Sequence, residues 1–445
     1  MLNFLVELLQ TPAITLSLVA MIGLLLQGES FSNVFSGTLK TALGMLVLSF
    51  GSGIIVSEIL PFADLFPVVF NLDGFATSSE AVVGAIQSET PIIASTSALI
   101  MAFGFLMNVI LARFTPLKYV FLTGHMMWIL SVVLAFLFYV SEYNQTMIVV
   151  LGSIMQGLLM TLLPAISQPL VRKVTGSDNF AIAHLTTLGT VASGYIGGLI
   201  GKEEDDAEDL ELPESLDFFR DTSMSVSIII GIFYLILVLI AGPELVSDYA
   251  EGQNFIVFGI LKALGFTAGI LILLQGVRMF LGELVPAFKG ISDKLVPGAI
   301  PALDVPALFA AAPNSLMIGF IFSVIGMLIG MFTSSVVFSV VPLVSIIGAF
   351  FTGGVSGIFG NAKGGRIGAA VAGAVYGFLL IFGSAFLSTL YNFAEYGAAG
   401  IGHDTIDVMV ILSLLKNPIV GMIIIIGVFI IYSVYEVKWN KNDEK

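Results

Sequence analysis

The sequence predicts an all-α polytopic membrane protein with about eleven transmembrane helices. Three observations carry that prediction: 57% of the residues are hydrophobic, only 11% are charged, and apolar stretches long enough to span a bilayer recur along the chain. A soluble globular chain carries roughly a quarter of its residues as charges. A helix of about 20 apolar residues crosses a hydrocarbon core ~30 Å thick with its backbone hydrogen bonds closed internally.

The crossings are expected over residues 11–27, 38–60, 92–112, 119–140, 146–170, 222–242, 254–283, 313–333, 335–365, 367–392 and 418–435. Ahead of the first, the stretch from Met1 to Gln10 holds Glu7 and no Lys or Arg. It therefore lacks the basic start of a cleavable signal peptide and reads as part of a first span. Segments near 60–90, 178–200 and 295–312 are too rich in Gly, Ser, Thr, Asn or Pro, or too interrupted, to cross, and read as re-entrant or broken-helix elements.

With the N-terminus outside and the C-terminus in the cytoplasm, 14 of the 17 Lys and Arg residues fall in cytoplasmic loops, as positive-inside bias requires. The acidic run from Lys202 to Pro213 then reads as a solvated cytoplasmic connector. A formal charge of −14 argues against nucleic acid as a partner. The chain has no cysteine, which excludes disulfides, thiolate metal sites and cysteine nucleophiles. No motif points to a cofactor or a metal.

An internal repeat organises the chain. A shift of 225 residues places Gly44, Leu48, Gly51, Glu58 and Pro61 on Gly269, Leu273, Gly276, Glu283 and Pro286, and Ser79 on Asp304. An odd number of crossings separates the copies, so they point in opposite directions across the bilayer. The expected units are therefore residues 1–221 and 222–445, an inverted repeat of the kind that places a solute site near the midplane.

Charged and polar side chains within apolar segments are the candidate site, because each costs at least ~2.5 kcal/mol in a bilayer centre unless it faces a cavity or a partner. Glu58 and Glu283 read equally as helix-end carboxylates reaching the interface or as functional groups. Arg278 is turned roughly 140° from Glu283 on one helix, so it needs a different partner. His125 and Trp128 lie one helical turn apart, which suits a ring that stacks and a hydroxyl that meets an imidazole; an interfacial aromatic belt would place Trp128 equally well. His184 and Thr186 follow the N-cap-rich run Gly176-Ser177-Asp178-Asn179 and suit a cavity-lining half-helix. Asp304 sits in a Pro-interrupted apolar stretch with nothing nearby in sequence to neutralise it. His403, in a Gly-rich loop, reads as solvated.

At these residues the chain resembles the ascorbate-type IIC permeases of the bacterial phosphoenolpyruvate-dependent phosphotransferase system. The resemblance rests on Leu122-Thr123-Gly124-His125, on Gln275-Gly276-Val277-Arg278-Met279-Phe280 with Glu283, and on Leu295-Val296-Pro297-Gly298-Ala299 through Asp304 to Ala312-Pro313-Asn314. It implies a homodimer in the bacterial inner membrane, each protomer having a core domain and a V-motif domain. It also implies a transporter rather than an enzyme, moving ascorbate or a related sugar or sugar acid inward for phosphorylation by a separate IIB protein. The implied ligand contacts fall on Ser79, Glu80, His125, Ile129, His184, Leu185 and Asp304, with Trp128 and Thr186 beside them. Ile129 and Leu185 stand where the family pattern offers glutamine, and Glu80 where it commonly offers an aromatic residue. Such losses alter discrimination among polyhydroxylated ligands, because a site built around a hydroxyl selects by its hydrogen-bond partners. The alternative reading is an ion-coupled secondary transporter using Asp304, Glu58 and Glu283 as proton or cation sites.

Overall fold

The computed structural model describes residues 11–69, 79–210, 222–338, 340–398, 400–413 and 417–443. Helices dominate: α1 (Pro12–Gln27), α2 (Phe31–Val69), α3 (Ser79–Glu89), α4 (Pro91–Phe114), α5 (Gly124–Val140), α6 (Gln145–Thr175) and α7 (Thr187–Ile200) in the first half. The second half contains α8 (Thr222–Ala250), α9 (Phe255–Lys294), α10 (Pro306–Phe309), α11 (Pro313–Val337), α12 (Ile346–Gly348), α13 (Gly354–Leu390), α14 (Ile406–Leu412) and α15 (Pro418–Asp443). A π-helical turn, Ala349–Gly353, joins α12 to α13. Local chemistry sets the helix ends. Proline stands at the first turn of α1, α4 and α11, where its missing N–H costs nothing. Asn144 caps the Met147 N–H at the start of α6, and Asn254 caps Ile256 and Val257 at the start of α9.

Among the described residues, eight helices are long and apolar enough to cross a membrane, with three shorter apolar helices beside them. Eleven spans are expected from sequence, and the difference of three has three sources. The predicted crossing at 11–27 forms α1, only 16 residues long. The predicted crossing at 119–140 spends its first residues on a strand, leaving α5 only 17 residues. The two predicted crossings at 335–365 and 367–392 are joined as one helical unit that doubles back at Gly364 and Gly365. There the chain reverses, so that Ser356 donates to the Ala372 carbonyl at 2.8 Å. Gly365 has φ +59, in the left-handed region, and a Cβ there would lie 2.3 Å from the Lys202 carbonyl oxygen.

Three short parallel strands depart from the all-α expectation: β1 (Tyr119–Phe121), β2 (Ala181–Ile182) and β3 (Ile300–Leu303) form one sheet in the order β1-β3-β2. Val120 pairs with Pro301, and Ala181 with Ala302. Sheet edges inside an apolar interior must be satisfied by the protein. Asn108 from α4 does this for β1, its amide nitrogen donating to the Tyr119 carbonyl at 3.1 Å and its oxygen accepting the Phe121 N–H at 3.0 Å. Gln168 and Ser167 from α6 reach the carbonyls of Phe180 and Ile182 on the other side.

Helices α2 and α9 cross antiparallel at very close range. A Cβ on Gly51 would lie 2.3 Å from the Leu273 nitrogen, and one on Gly276 would lie 2.2 Å from the Leu48 nitrogen. Glycine is what permits that approach. The same pair of helices neutralises both glutamates singled out in the sequence: Lys40 meets Glu283 at 3.0 Å and Lys262 meets Glu58 at 2.9 Å. Arg278 lies on an exposed position of α9.

The acidic loop after α7 is not wholly solvated. Asp205 accepts the Arg366 N–H through its carbonyl at 2.8 Å, and Asn361 donates to the Asp206 carboxylate at 2.7 Å. Glu208 accepts from the Asn314 N–H, the Ser315 N–H and the Ser315 hydroxyl, and so caps the start of α11. Burial pushes this carboxyl up from its ordinary value, against the pull of the three bonds. The correction has a simple origin: orphan N–H groups at a helix start attract a carboxylate that sequence composition assigns to water.

Candidate functional site

Each strand of the small sheet delivers one polar side chain to the same place. His125 follows β1, His184 follows β2, and Asp304 follows β3 directly. Parallel pairing puts all three at the carboxyl ends of the strands, where open sheets in general leave a crevice. His125 Nε2 stands 3.6 Å from one Asp304 oxygen, and His184 Nε2 stands 3.9 Å from the other.

The chain from the far side of the molecule closes the group. Two 3-10 turns, Phe393–Tyr396 and His403–Thr405, precede α14, and the second carries His403 and Asp404. Asp404 lies 3.8 Å from His184 Nε2 and 3.4 Å from His403 Nε2. The result is an alternating series, His125, Asp304, His184, Asp404, His403. The chain has three histidines, and all three are here. His403 is 7% exposed, which corrects the solvated reading drawn from its Gly-rich surroundings. The turn that holds it packs against α3, where Ser79 accepts the Asp404 N–H at 3.0 Å.

These five side chains line one cavity of about 470 Å³. Its walls include Leu48, Ser52 and Val56 of α2, Pro306 of α10, Ser345, and Ile346 and Ile347 of α12. The chamber therefore lies between the sheet, α2, the start of the doubled-back helical unit at Ile346 to Phe351, and the turn of His403 and Asp404. A mostly apolar wall with a few converging polar groups is the usual form of a small-molecule site. The carboxylate-to-imidazole separations exceed a good hydrogen-bond length, so these polar atoms are not fully spent on one another and can turn to a ligand in the cavity beside them. Thr186 N–H donates to His184 Nδ1 at 3.3 Å, and a backbone N–H can only donate. The neutral ring therefore carries its proton on Nε2, directed at the two carboxylates.

The remaining predicted positions separate into supports and bystanders. Ser79 is fully buried and holds the Asp404 turn, and the Thr186 hydroxyl sits 2.8 Å from His184 Nδ1. Ile129 and Leu185 are fully buried and take no part in the chamber wall. Trp128 donates its indole N–H to Gln87 at 3.0 Å and is also absent from the wall. Glu80 occupies the first turn of α3, and its side chain lies outside the described set. Sequence reasoning missed Asp404 and misjudged His403. The available signal was scarcity, since a protein with so few histidines has little reason to place one beside an aspartate in a water-facing loop.

The apolar helices and the enclosed polar chamber define a multi-pass membrane protein with an internal polar cavity. The chain belongs to the EIIC-GAT family, described as the PTS system sugar-specific permease component, whose model matches residues 7–405. It is 29% identical to the "Ascorbate-specific PTS system EIIC component" of Mycoplasma pneumoniae (strain ATCC 29342 / M129 / Subtype 1), with 86% of this chain covered. The match spans 66% of that relative's length, just under two thirds.

Proposed function

We propose that this protein is the membrane translocation subunit of a phosphotransferase system, carrying ascorbate or a related sugar or sugar acid inward to a separate IIB protein that phosphorylates it. The convergence of His125, His184 and Asp304 at the ends of three parallel strands, around one chamber, carries the reading. Imidazoles that donate and accept, set beside carboxylates that accept, match a ligand dense in hydroxyl groups. His403 and Asp404 extend that lining and supply polar atoms where Ile129 and Leu185 supply none. Ser79 and Thr186 act as positioning residues behind it.

Alternating access in this reading comes from two inverted units, 1–221 and 222–445, with the N-terminus outside, the C-terminus in the cytoplasm and two copies assembled as a homodimer. The α2 to α9 crossing supports the repeat. Exchanging each residue for its equivalent 225 positions away turns the contact of Gly51 with Leu273 into that of Gly276 with Leu48, and both contacts occur. The ion-coupled alternative loses ground because Glu58 and Glu283 each hold a lysine and are not vacant carriers.

Uptake of radiolabelled ascorbate and of a panel of sugar acids, measured in cells with and without phosphoenolpyruvate-dependent partner proteins, tests the proposal. Accumulation of phosphorylated substrate only in the presence of the partners is the expected result. Uptake of unmodified substrate that follows a proton or sodium gradient without them would overturn it.

A further inference from the structure

A separate cavity of about 370 Å³ lies at the far end of α5. Helical rise puts it roughly 23 Å from His125. Ser141 and Tyr143 after α5, Tyr391 after α13 and Asn417 before α15 line it, with Val140 and Leu390 between them. Helix-end chemistry sets these side chains in place. α5 closes in a Schellman turn, the Tyr143 N–H donating to the Phe138 carbonyl at 3.1 Å and the Glu142 N–H to the Tyr139 carbonyl at 2.9 Å. Glu142 holds the left-handed position of that turn at φ +63. Tyr143 is thereby laid at right angles to Phe138, ring centroids 5.5 Å apart, and Tyr391 packs against Phe136 at 5.7 Å. Asn417 caps α15, its side-chain oxygen accepting the Ile419 N–H at 3.0 Å. Hydrogen-bonding capacity is left over. The Tyr143 hydroxyl and the Asn417 side-chain NH2 have no partner among the described residues. Tyr391 donates its hydroxyl to Ser413 and Ser141 donates to the Leu137 carbonyl, so both oxygens can still accept. Among the described residues no Asp, Glu, Lys or Arg lines the cavity.

We propose that this cavity is a second carbohydrate site, an outer vestibule that takes up a sugar or polyol ahead of the chamber. Rigidly held tyrosine rings beside neutral donors and acceptors match a ligand that pairs a C–H face with hydroxyl groups. Two segments lead from the cavity to the chamber. α5 runs back from Val140 to His125, and the chain after Tyr391 runs through both 3-10 turns to His403 and Asp404. They pack on each other along the way, Phe136 of α5 meeting Phe393 and Tyr396 with ring centroids 5.4 and 5.1 Å apart. With the N-terminus outside, this end of α5 faces outward, the side from which substrate arrives. An aromatic belt at the membrane surface also collects tyrosine, but its rings sit among lipid headgroups. Tyr143 and Tyr391 are half-buried instead, packed on the phenylalanines of α5.

The inference rests on the carbohydrate reading of the chamber for its place on the route, and on its own geometry for binding. Full-length protein carrying 3-fluorotyrosine, in phosphatidylcholine nanodiscs, is titrated with ascorbate, xylose and sorbitol and read by 19F NMR. Tyr143→Phe and Tyr391→Phe assign the two signals by their loss. Both signals are expected to shift with at least one of the three ligands, and to shift equally in Asp304→Ala, whose chamber is damaged; His125→Gln serves the same purpose if Asp304→Ala does not fold. Asn417→Asp keeps the capping oxygen and removes the amide donors. It is expected to weaken this binding about three- to tenfold, as is Tyr143→Phe followed at Tyr391, each losing roughly one hydrogen bond. Signals that stay still for all three ligands, or shifts that vanish when the chamber is damaged, overturn the proposal. Signals that answer only to replacement of phosphatidylcholine by phosphatidylglycerol also overturn it, making the cavity a lipid-headgroup site. Shifts retained in Asp304→Ala, in a protein whose wild type accumulates no phosphorylated substrate with its partners, would leave the outer site standing and remove the translocation reading.

Discussion

A single methyl group measures how strongly α2 and α9 depend on their close approach. In Gly276→Ala the new carbon would sit 2.2 Å from the Leu48 nitrogen and 2.6 Å from its Cα. Both are backbone atoms, so no side-chain rotation relieves the overlap. The helices must part by roughly 1 Å, which forfeits a quarter to a half of each dispersion contact along the crossing. Overpacking of this kind costs ~1–3 kcal/mol, and alanine's better helix propensity returns up to ~1 kcal/mol. With the full propensity gain subtracted, a net loss of up to about 2 kcal/mol follows. Gly53→Ala is the matched control on α2: its Cβ would meet nothing within 4 Å, so propensity alone acts and stability rises slightly. Thermal unfolding of the purified protein in detergent, read for Gly276→Ala, Gly51→Ala and Gly53→Ala, compares them. Equal behaviour of Gly276→Ala and Gly53→Ala would refute the close-approach argument, and a large difference between Gly276→Ala and Gly51→Ala would refute the symmetric crossing.

Glu208→Ala leaves two N–H groups and a hydroxyl at the start of α11 without their acceptor. It is expected to cost about 1–3 kcal/mol in unfolding experiments. Because burial raises the Glu208 carboxyl, the folded state takes up its proton before the unfolded chain does. Stability therefore rises as pH falls from the raised value toward the ordinary one, and Glu208→Gln abolishes that rise in thermal melts taken from neutral pH downward. Trp128→Phe removes the bond to Gln87 and should lower stability by about 0.5–1.5 kcal/mol while leaving carbohydrate affinity within about twofold. A large loss of affinity would return Trp128 to the ligand site.

Much of the helical framework was legible because a membrane span announces itself by length and composition. Two of the broken segments were also visible, through Pro297, Pro301 and Pro306, and through the polar run before His184. That they would pair in a parallel sheet with Tyr119–Phe121, the start of a predicted crossing, was not visible. Ala181 and Ile182 are only two residues, too short for any periodicity, and the sheet exists because Asn108 and Gln168 on distant helices satisfy its edges. His125, His184 and Asp304 could be chosen as costly groups in an apolar setting, and the structure brings them together. Asp404 could not be chosen, since its neighbours Gly400, Gly402 and His403 look like a surface loop. Its burial depends on the 3-10 turn docking against Ser79, more than 300 residues away. The pairing of Glu58 with Lys262 was hidden for a related reason, as it needs the antiparallel register of α2 on α9.

Equilibrium binding of carbohydrate to purified protein, compared across wild type, Asp304→Ala and Asp404→Asn, tests the chamber most directly. Each substitution removes a carboxylate acceptor facing two imidazoles, and the loss of one charge-assisted bond of ~1.5–3 kcal/mol predicts an affinity weakened by about 10- to 150-fold. Full wild-type affinity in both variants, with the fold intact, would contradict the assignment of the site.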